Sequence, residues 1–442
     1  MKSILIKNGT LITMDERDSI FRGDLLIRNG EIAEMGAVDQ AADIVVDASG
    51  AAVLPGFVQT HIHLCQTLFR GSADDLSLLD WLKKRVWPME AAHTAKSVRA
   101  SARLGIAELI KGGTTCALTM ETVNYTDEVF KAVEETGFRA TVGKCMMDKG
   151  VDVPRQLHED TTESLEESVR LLEKWNGKGN GRIGYCFAPR FALSCTSELL
   201  SEVAKIAKER GIIIHTHASE NRNECEVVER DTGSRNVSYL ESLGIAGPHT
   251  VLAHCVHLDE AEFRSLEEQG TNVAHCPSSN LKLGSGIAEV SKMLKRGISV
   301  SLGADGAACN NRLDVFTEMR TMALLQKAIH GPEAIPARQA LRTATMGGAM
   351  AMGLGDQIGS LEIGTKGDVI VVNLDSLHST PSKRDLVSAL VYSAQTSDIQ
   401  SVVIDGQLVL NDGALLTLDE DSVRQDANHE SAQLLKRAGL AS

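Results

Sequence analysis

Residues 54–64 read LPGFVQTHIHL, an apolar run that closes on two histidines one residue apart, with no lysine or arginine beside them. In an extended strand, side chains at i and i+2 share a face. His61 and His63 therefore present two imidazoles to one side, about 6.6 Å apart along the backbone. Such a pair can chelate a metal. One pair alone fits equally well as hydrogen-bonded polar residues at a strand end, so the rest of the chain has to decide.

From residue 54 on, the same grammar recurs: a short β-branched or apolar run ends in polar groups and an amphipathic helical stretch follows. The runs are LPGFVQTHIH (54–63), TTCALTM (114–120), RATVGKCM (139–146), RIGYCFAP (182–189), IIIHTHASE (212–220), TVLAHCVH (250–257), NVAHCPSS (272–279) and SVSLGADG (299–306). Eight βα units close most naturally into a (β/α)8 barrel of the TIM type, an α/β fold whose reactive groups sit at the C-terminal ends of the strands. The polar residues of these runs fall at those ends. The 442 residues exceed the roughly 250 that such a barrel takes. Residues 1–53 and 356–442 differ in style, with alternating strands such as LIKNGTLITM and IQSVVIDGQLVL. They are expected to pair into one small composite β-sandwich domain beside a barrel of residues 54–355, with a short helix closing the chain. No low-complexity linker separates the parts, which implies a packed interface.

Composition narrows the function classes. Hydrophobic residues make up 43%, but no uninterrupted apolar stretch reaches the about 18 residues a membrane span needs. The N-terminus, MKSILIKNGTLITMDERD, has no apolar core or small-residue cleavage site of a signal peptide, so the expected location is cytoplasmic. Nine cysteines without framework spacing read as reduced thiols. A net charge of −14 repels phosphate backbones and argues against nucleic-acid binding.

Four strand ends carry candidate ligands: His61 and His63, then His215 and His217, then His254, then Asp305. Barrel closure brings them together. Zinc favours nitrogen and oxygen donors in a roughly tetrahedral site, and a catalytic site keeps one position for water. Any one of these histidines is as easily a core residue; the set is what points to a metal. His215 and His217 share a face, so spacing leaves open which of them coordinates. Glu220, three residues past His217, stands where a carboxylate can move protons between water and substrate. The metal would lower the pKa of a bound water from about 15.7 to about 7. Asp305, in GADG, can touch the metal and accept the attacking water's proton, while the flanking glycines allow close approach. GNGRIG at 179–184 fits a dinucleotide fingerprint but precedes a strand, which removes that reading. The PCxxC of the other zinc deaminases, HExxH and a Walker loop are all absent.

The set LPGFVQTHIHL, HTHASE, AHCV, HCPSSNLKLGSG and LGADGAACNN resembles the amidohydrolase superfamily over nearly the whole chain, and most of all its branch of adenosine-derivative deaminases. The resemblance implies that His61, His63, His217 and Asp305 bind one Zn2+ per chain, with Fe2+ the alternative, and that His215 sits behind them. Glu220 would relay a proton to the purine ring nitrogen, His254 would orient the attacking water, and Asp305 would pass a proton to departing ammonia, giving the inosine analogue. The fourth strand lacks the lysine that bridges two metals in some members, with Lys144 on the third strand the nearest rival, so one metal is expected. FRGSADDLSLLDWLKKRVWPME resembles the substrate lid, in which Trp81 would pack on the substrate and Glu90 would accept from ribose hydroxyls. Serine, asparagine and lysine of SSNLKLGSG would line the far wall. Where S-adenosylhomocysteine and 5'-methylthioadenosine deaminases have a histidine, this chain has Arg190, which changes the pocket's charge and hydrogen bonding. A smaller 5' group, as in 5'-deoxyadenosine, becomes the leading substrate. The alternatives are an s-triazine amino- or chlorohydrolase, a guanine- or pterin-type deaminase and, in another class, a non-catalytic metal-binding scaffold. The expected partners are a small-molecule aminopurine nucleoside and further copies of the chain in a homo-oligomer.

Overall fold

The run that opens the argument divides at Gly56. Ala52–Pro55 is one strand and Phe57–His63 another, in two different sheets. A Cβ on Gly56 would fall 2.1 Å from Thr115 Oγ1, so only glycine lets the chain pass that close as it changes sheet. The sequence pattern alone predicts a single strand over 54–63. The computed structural model describes residues 2–150, 152–381 and 384–440.

The eight expected runs form one closed parallel barrel: Phe57–His63, Thr114–Met120, Arg139–Met146, Ile183–Pro189, Ile213–Ala218, Thr250–His254, Asn272–His275 and Val300–Leu302. Each pairs with the next, and the eighth returns to the first. Leu302 lies opposite Gln59, and the short extension Asp305–Gly306 lies opposite Ile62 and His63. Closure thus sets Asp305 beside the histidine pair. The helices between strands start and stop on local signals. Asn221 with Glu224, and Asp259 with Glu262, make capping boxes, and Gly137, Gly211, Gly233 and Gly270 end helices in the left-handed conformation. Their apolar faces pack on the barrel through buried residues such as Phe130, Val133, Leu171 and Leu199. Each such side chain contributes about 1.5–3 kcal/mol on burial.

Strands from both ends of the chain make a second, mixed nine-stranded sheet. It branches at Ile4–Ile12, whose first half pairs with Ile44–Asp47 and whose second half pairs with Ala52–Pro55. Residues of both arms, among them Ile27, Val46, Val371 and Val403, share one core. The expected sandwich therefore takes the form of a single branched sheet. The closing helix, Glu420–Arg437, has 18 residues and lies on the barrel's helix Ala95–Lys111, where Lys111 Nζ meets Glu420 Oε2 at 2.7 Å. Among the described residues no helix is long and apolar enough to cross a membrane.

Candidate active site

The tautomers of the strand-end histidines follow from backbone carbonyls. His63 Nδ1 lies 2.6 Å from Met120 O, and His217 Nδ1 lies 2.7 Å from Arg190 O. A carbonyl only accepts, so both Nδ1 atoms carry the proton and both Nε2 atoms carry a lone pair. His215 Nδ1 donates to Val251 O at 3.0 Å, which leaves its Nε2 as an acceptor, and His61 Nδ1 donates to that nitrogen at 2.7 Å. His61 Nε2 is then a third lone pair, buried and, among the described residues, without a hydrogen-bond partner.

These lone pairs converge. Nε2 of His63 and His217 face each other at 3.3 Å, and Asp305 Oδ1 is 3.3 Å from His61 Nε2 and 3.1 Å from His63 Nε2. One donor atom from each of His61, His63, His217 and Asp305 lies within 4.8 Å of every other. Three imidazole lone pairs and a carboxylate aimed at one point repel unless a cation stands between them, and nitrogen with oxygen donors suits Zn2+. The donors therefore fit a metal. Burial holds the His61 imidazole down at about 4, so the ring is neutral and its Nε2 keeps the lone pair. His215 is not in the cluster. It stands behind His61 and fixes its ring.

Around this centre the backbone leaves the strands sharply. Ser219, His254 and Asp305 have φ of 51°, 74° and 63°, left-handed values that are costly for residues with a side chain and that gather at functional sites. His254 Nε2 comes to 3.6 Å from Glu220 Oε2 and 3.9 Å from Asp305 Oδ2. Glu220 is buried; burial, then the charges of Asp305 and Glu224, push its carboxyl well above the usual range. Its backbone N–H donates to Glu224 Oε2 at 2.8 Å.

Leu78, Trp81, Leu82 and Phe191 close over the centre, and Trp81 is 4% exposed. The pocket they line has a volume of about 20 Å³, room for roughly one water. Arg190 reaches the same pocket. Its Nη1 and Nη2 hold Glu90 Oε2 and Oε1 at 2.6 and 3.3 Å, and Gln66 Nε2 donates to Glu90 Oε1 at 2.9 Å. Glu90 thus spends its carboxylate on protein donors and does not itself line the pocket. Lys144 lies apart from the centre, its Nζ 2.6 Å from Glu159 Oε1. Of the SSNLKLGSG stretch, Lys282 pairs with Asp74 and Asn311, while Ser279 and Asn280 bond Asp305 and His254 instead of facing the pocket. Those two roles, and the carbonyls of Met120, Arg190 and Val251, are what the sequence reading missed. For the carbonyls no side-chain signal exists.

Fold and donor set together define a barrel hydrolase with a His/Asp site that can hold a metal. The amidohydrolase family model matches residues 52–409, and the chain belongs to that family. The 5'-deoxyadenosine deaminase of Methanosarcina mazei is 40% identical over 99% of both chains, and the 5-methylthioadenosine/S-adenosylhomocysteine deaminase of Syntrophomonas wolfei is 40% identical over 98% of this chain and 99% of that one. The crystal structure of an adenosine deaminase from Xanthomonas campestris with bound zinc superposes with a TM-score of 0.92, at 31% identity over 98% of each chain.

Proposed function

We propose that this enzyme is a zinc-dependent hydrolytic deaminase that converts a 5'-modified adenosine, 5'-deoxyadenosine first, to the inosine analogue and ammonia. The observation that carries the reading is the convergence of three Nε2 lone pairs and the Asp305 carboxylate beneath a pocket that also holds Glu220 and His254. The names of the two deaminases that match over their full length support the substrate class. His61, His63, His217 and Asp305 would hold a divalent ion, which would supply Lewis acidity and lower the pKa of water toward about 7. Asp305, kept ionised, takes the proton of the attacking water. Glu220, kept protonated by burial, donates to the purine ring nitrogen as the water oxygen bonds to the ring carbon that carries the amino group. His254 orients that water. Asp305 then returns its proton to the amino nitrogen, which leaves as ammonia, while the hydroxyl proton passes to the Glu220 carboxylate as the ring carbonyl forms. Trp81 packs on the base. All nine cysteines are free and buried, which suits a reducing, cytoplasmic setting.

One observation favours a second reading, an amino-oxo heterocycle of the guanine or pterin type. Glu90 takes the Nη end of Arg190, while the Nε–H finds no protein acceptor among the described residues. The guanidinium that lines the pocket suits a ring carbonyl, whereas the carboxylate that ribose hydroxyls require is already paired with it. Ammonia release by zinc-loaded protein from 5'-deoxyadenosine, 5'-methylthioadenosine, S-adenosylhomocysteine, adenosine, guanine and melamine decides. Preference for an adenine nucleoside is expected. Turnover of guanine alone transfers the enzyme to the second reading.

A further inference from the structure

The turn after the seventh barrel strand carries two adjacent polar side chains whose partners are the reacting groups. The chain leaves that strand at His275 and enters the short helix Pro277–Lys282. Ser279 and Asn280 on that helix are both buried, at 0% and 1% exposure. Ser279 Oγ donates to Asp305 Oδ2 at 2.7 Å, and His254 Nδ1 lies 2.8 Å from Asn280 Oδ1. The turn itself is held by its backbone: Asn280 N–H donates to Cys276 O at 3.0 Å, Ser285 N–H to Asn280 O at 2.8 Å, and Ser278 N–H to Glu318 Oε2 at 3.1 Å. Neither Ser279 nor Asn280 lines the pocket.

A neutral imidazole has one N–H. With it on Nε2, His254 would find Glu220 Oε2 at 3.6 Å and Asp305 Oδ2 at 3.9 Å, both too distant to accept. With it on Nδ1, the amide oxygen of Asn280 accepts and Nε2 keeps a lone pair aimed toward the reacting water. Asp305 has a parallel constraint. Its two oxygens have separate duties, Oδ1 toward His61 and His63 and Oδ2 toward His254, and rotation about the carboxyl bond would exchange them. Ser279 blocks that rotation by holding Oδ2, while Gly306 N–H holds Oδ1 at 2.8 Å. We propose that Ser279 and Asn280 are the positioning residues of the hydrolytic step: Asn280 fixes the His254 tautomer that accepts from the attacking water, and Ser279 fixes which Asp305 oxygen handles the proton. This rests on the hydrolytic reading of the site, but not on which amino heterocycle is the substrate.

The first test needs no substrate. In full-length zinc-loaded protein labelled with 15N-histidine, the His254 signals are those missing from the spectrum of His254→Gln. Long-range proton–nitrogen correlations then report which ring nitrogen is protonated. The expected result is Nδ1 protonated and Nε2 bare in the wild type and in Asn280→Asp, which keeps the acceptor, and loss of that preference in Asn280→Leu. A wild-type His254 protonated at Nε2, or an Asn280→Leu spectrum identical to wild type, overturns the proposal. Should Asn280→Leu fail to fold, the wild-type spectrum and the isosteric Asn280→Asp still decide. The second test reads turnover: Ser279→Ala and Asn280→Leu are expected to lower kcat by roughly 10–100-fold. With both residues off the pocket wall, KM should stay within about two-fold. Unchanged kcat in both variants overturns the proposal, as does a loss carried by KM. Absence of ammonia release from every wild-type substrate counts against the proposed function alone, since the spectrum is read independently of it.

Discussion

At Glu220 the chain keeps a carboxyl that touches none of the converging donors yet sits 3.6 Å from His254. Its neighbour Glu224 holds it by the backbone and is itself held by Asn236 Nδ2 at 2.5 Å, so the Glu220 side chain is left free for chemistry. Glu220→Gln should therefore keep the metal and lower kcat by roughly 10²–10⁴-fold, because it removes a proton donor and no ligand. Metal content and ammonia release, measured on the same preparation, check this; wild-type rates in the variant would sink the role of Glu220. The four convergent donors were legible because polar residues at the ends of apolar runs are conspicuous. The choice between His215 and His217 was not, since residues two apart on a strand share a face. It is made by Val251 O, a backbone atom from the next strand. Ser279 and Asn280 were placed near the site by resemblance and given the wrong direction. A motif supplies proximity, whereas orientation comes from the fold around it.

Among the elements, the eight barrel strands were legible in order from the βα grammar, with starts within three residues, but the runs for strands five to eight overshoot the strand ends by two to four residues, because the polar groups that close them belong to the turns after the strands. Two elements read less well. The break at Gly56 depends on the approach of Thr115 from the next strand, which no local pattern displays. The final helix looked short because its buried positions, Val423, Ala427 and Leu434, are sparse in the charge-rich EDSVRQDANHESAQLLKR. The helix Val315–His330 carries a further buried acid, Glu318, which accepts from Ser278 N–H at 3.1 Å and Asn310 Nδ2 at 2.9 Å, tying the helix to the turns after strands seven and eight. Burial pushes its carboxyl up to about 7. In the unfolded chain the group titrates near about 4.3. The folded state therefore binds the extra proton between those values, and the stability this lends is complete below the lower one and lost as pH rises through the upper one. Glu318→Gln fixes the neutral form. The stability difference, wild type minus variant, should fall between about pH 4.5 and 7 by no more than about 1.4 kcal/mol per pH unit and level off above. Denaturant unfolding of both proteins at pH 5 and pH 8 checks it. Parallel pH dependences would mean that Glu318 is ionised throughout.

For the molecule as a whole, the reacting groups lie at one end of the barrel and the branched sheet grips the other, where barrel positions serve stability. The grip centres on Arg139, at the start of the third barrel strand. Its Nε and Nη2 meet Asp368 Oδ2 and Oδ1 at 2.8 and 2.9 Å, and Nη2 reaches Asp405 Oδ1 at 3.2 Å. Asp368 O also receives Gly56 N–H at 3.0 Å, at the point where the chain crosses between the sheets. The Arg139 and Asp368 side chains are only 3% and 1% exposed. We propose that residues 1–53 and 356–442 form one composite domain that unfolds together with the barrel of residues 54–355, and that this ion pair is a principal link. Removing one partner leaves a buried charge uncompensated, so Arg139→Met should cost about 3–5 kcal/mol. The tryptophans Trp81, Trp87 and Trp175 all lie in the barrel segment, so their fluorescence reports the barrel, while far-ultraviolet circular dichroism reports both parts. Coincident transitions by the two probes are expected, shifted to lower denaturant in Arg139→Met. Because the ion pair stands at the far end of the strands from Glu220 and His254, kcat of the folded variant should match wild type. Dichroism lost ahead of fluorescence would show that the terminal strands come away alone, and an unshifted midpoint would show that packing, with no contribution from Arg139, joins the two.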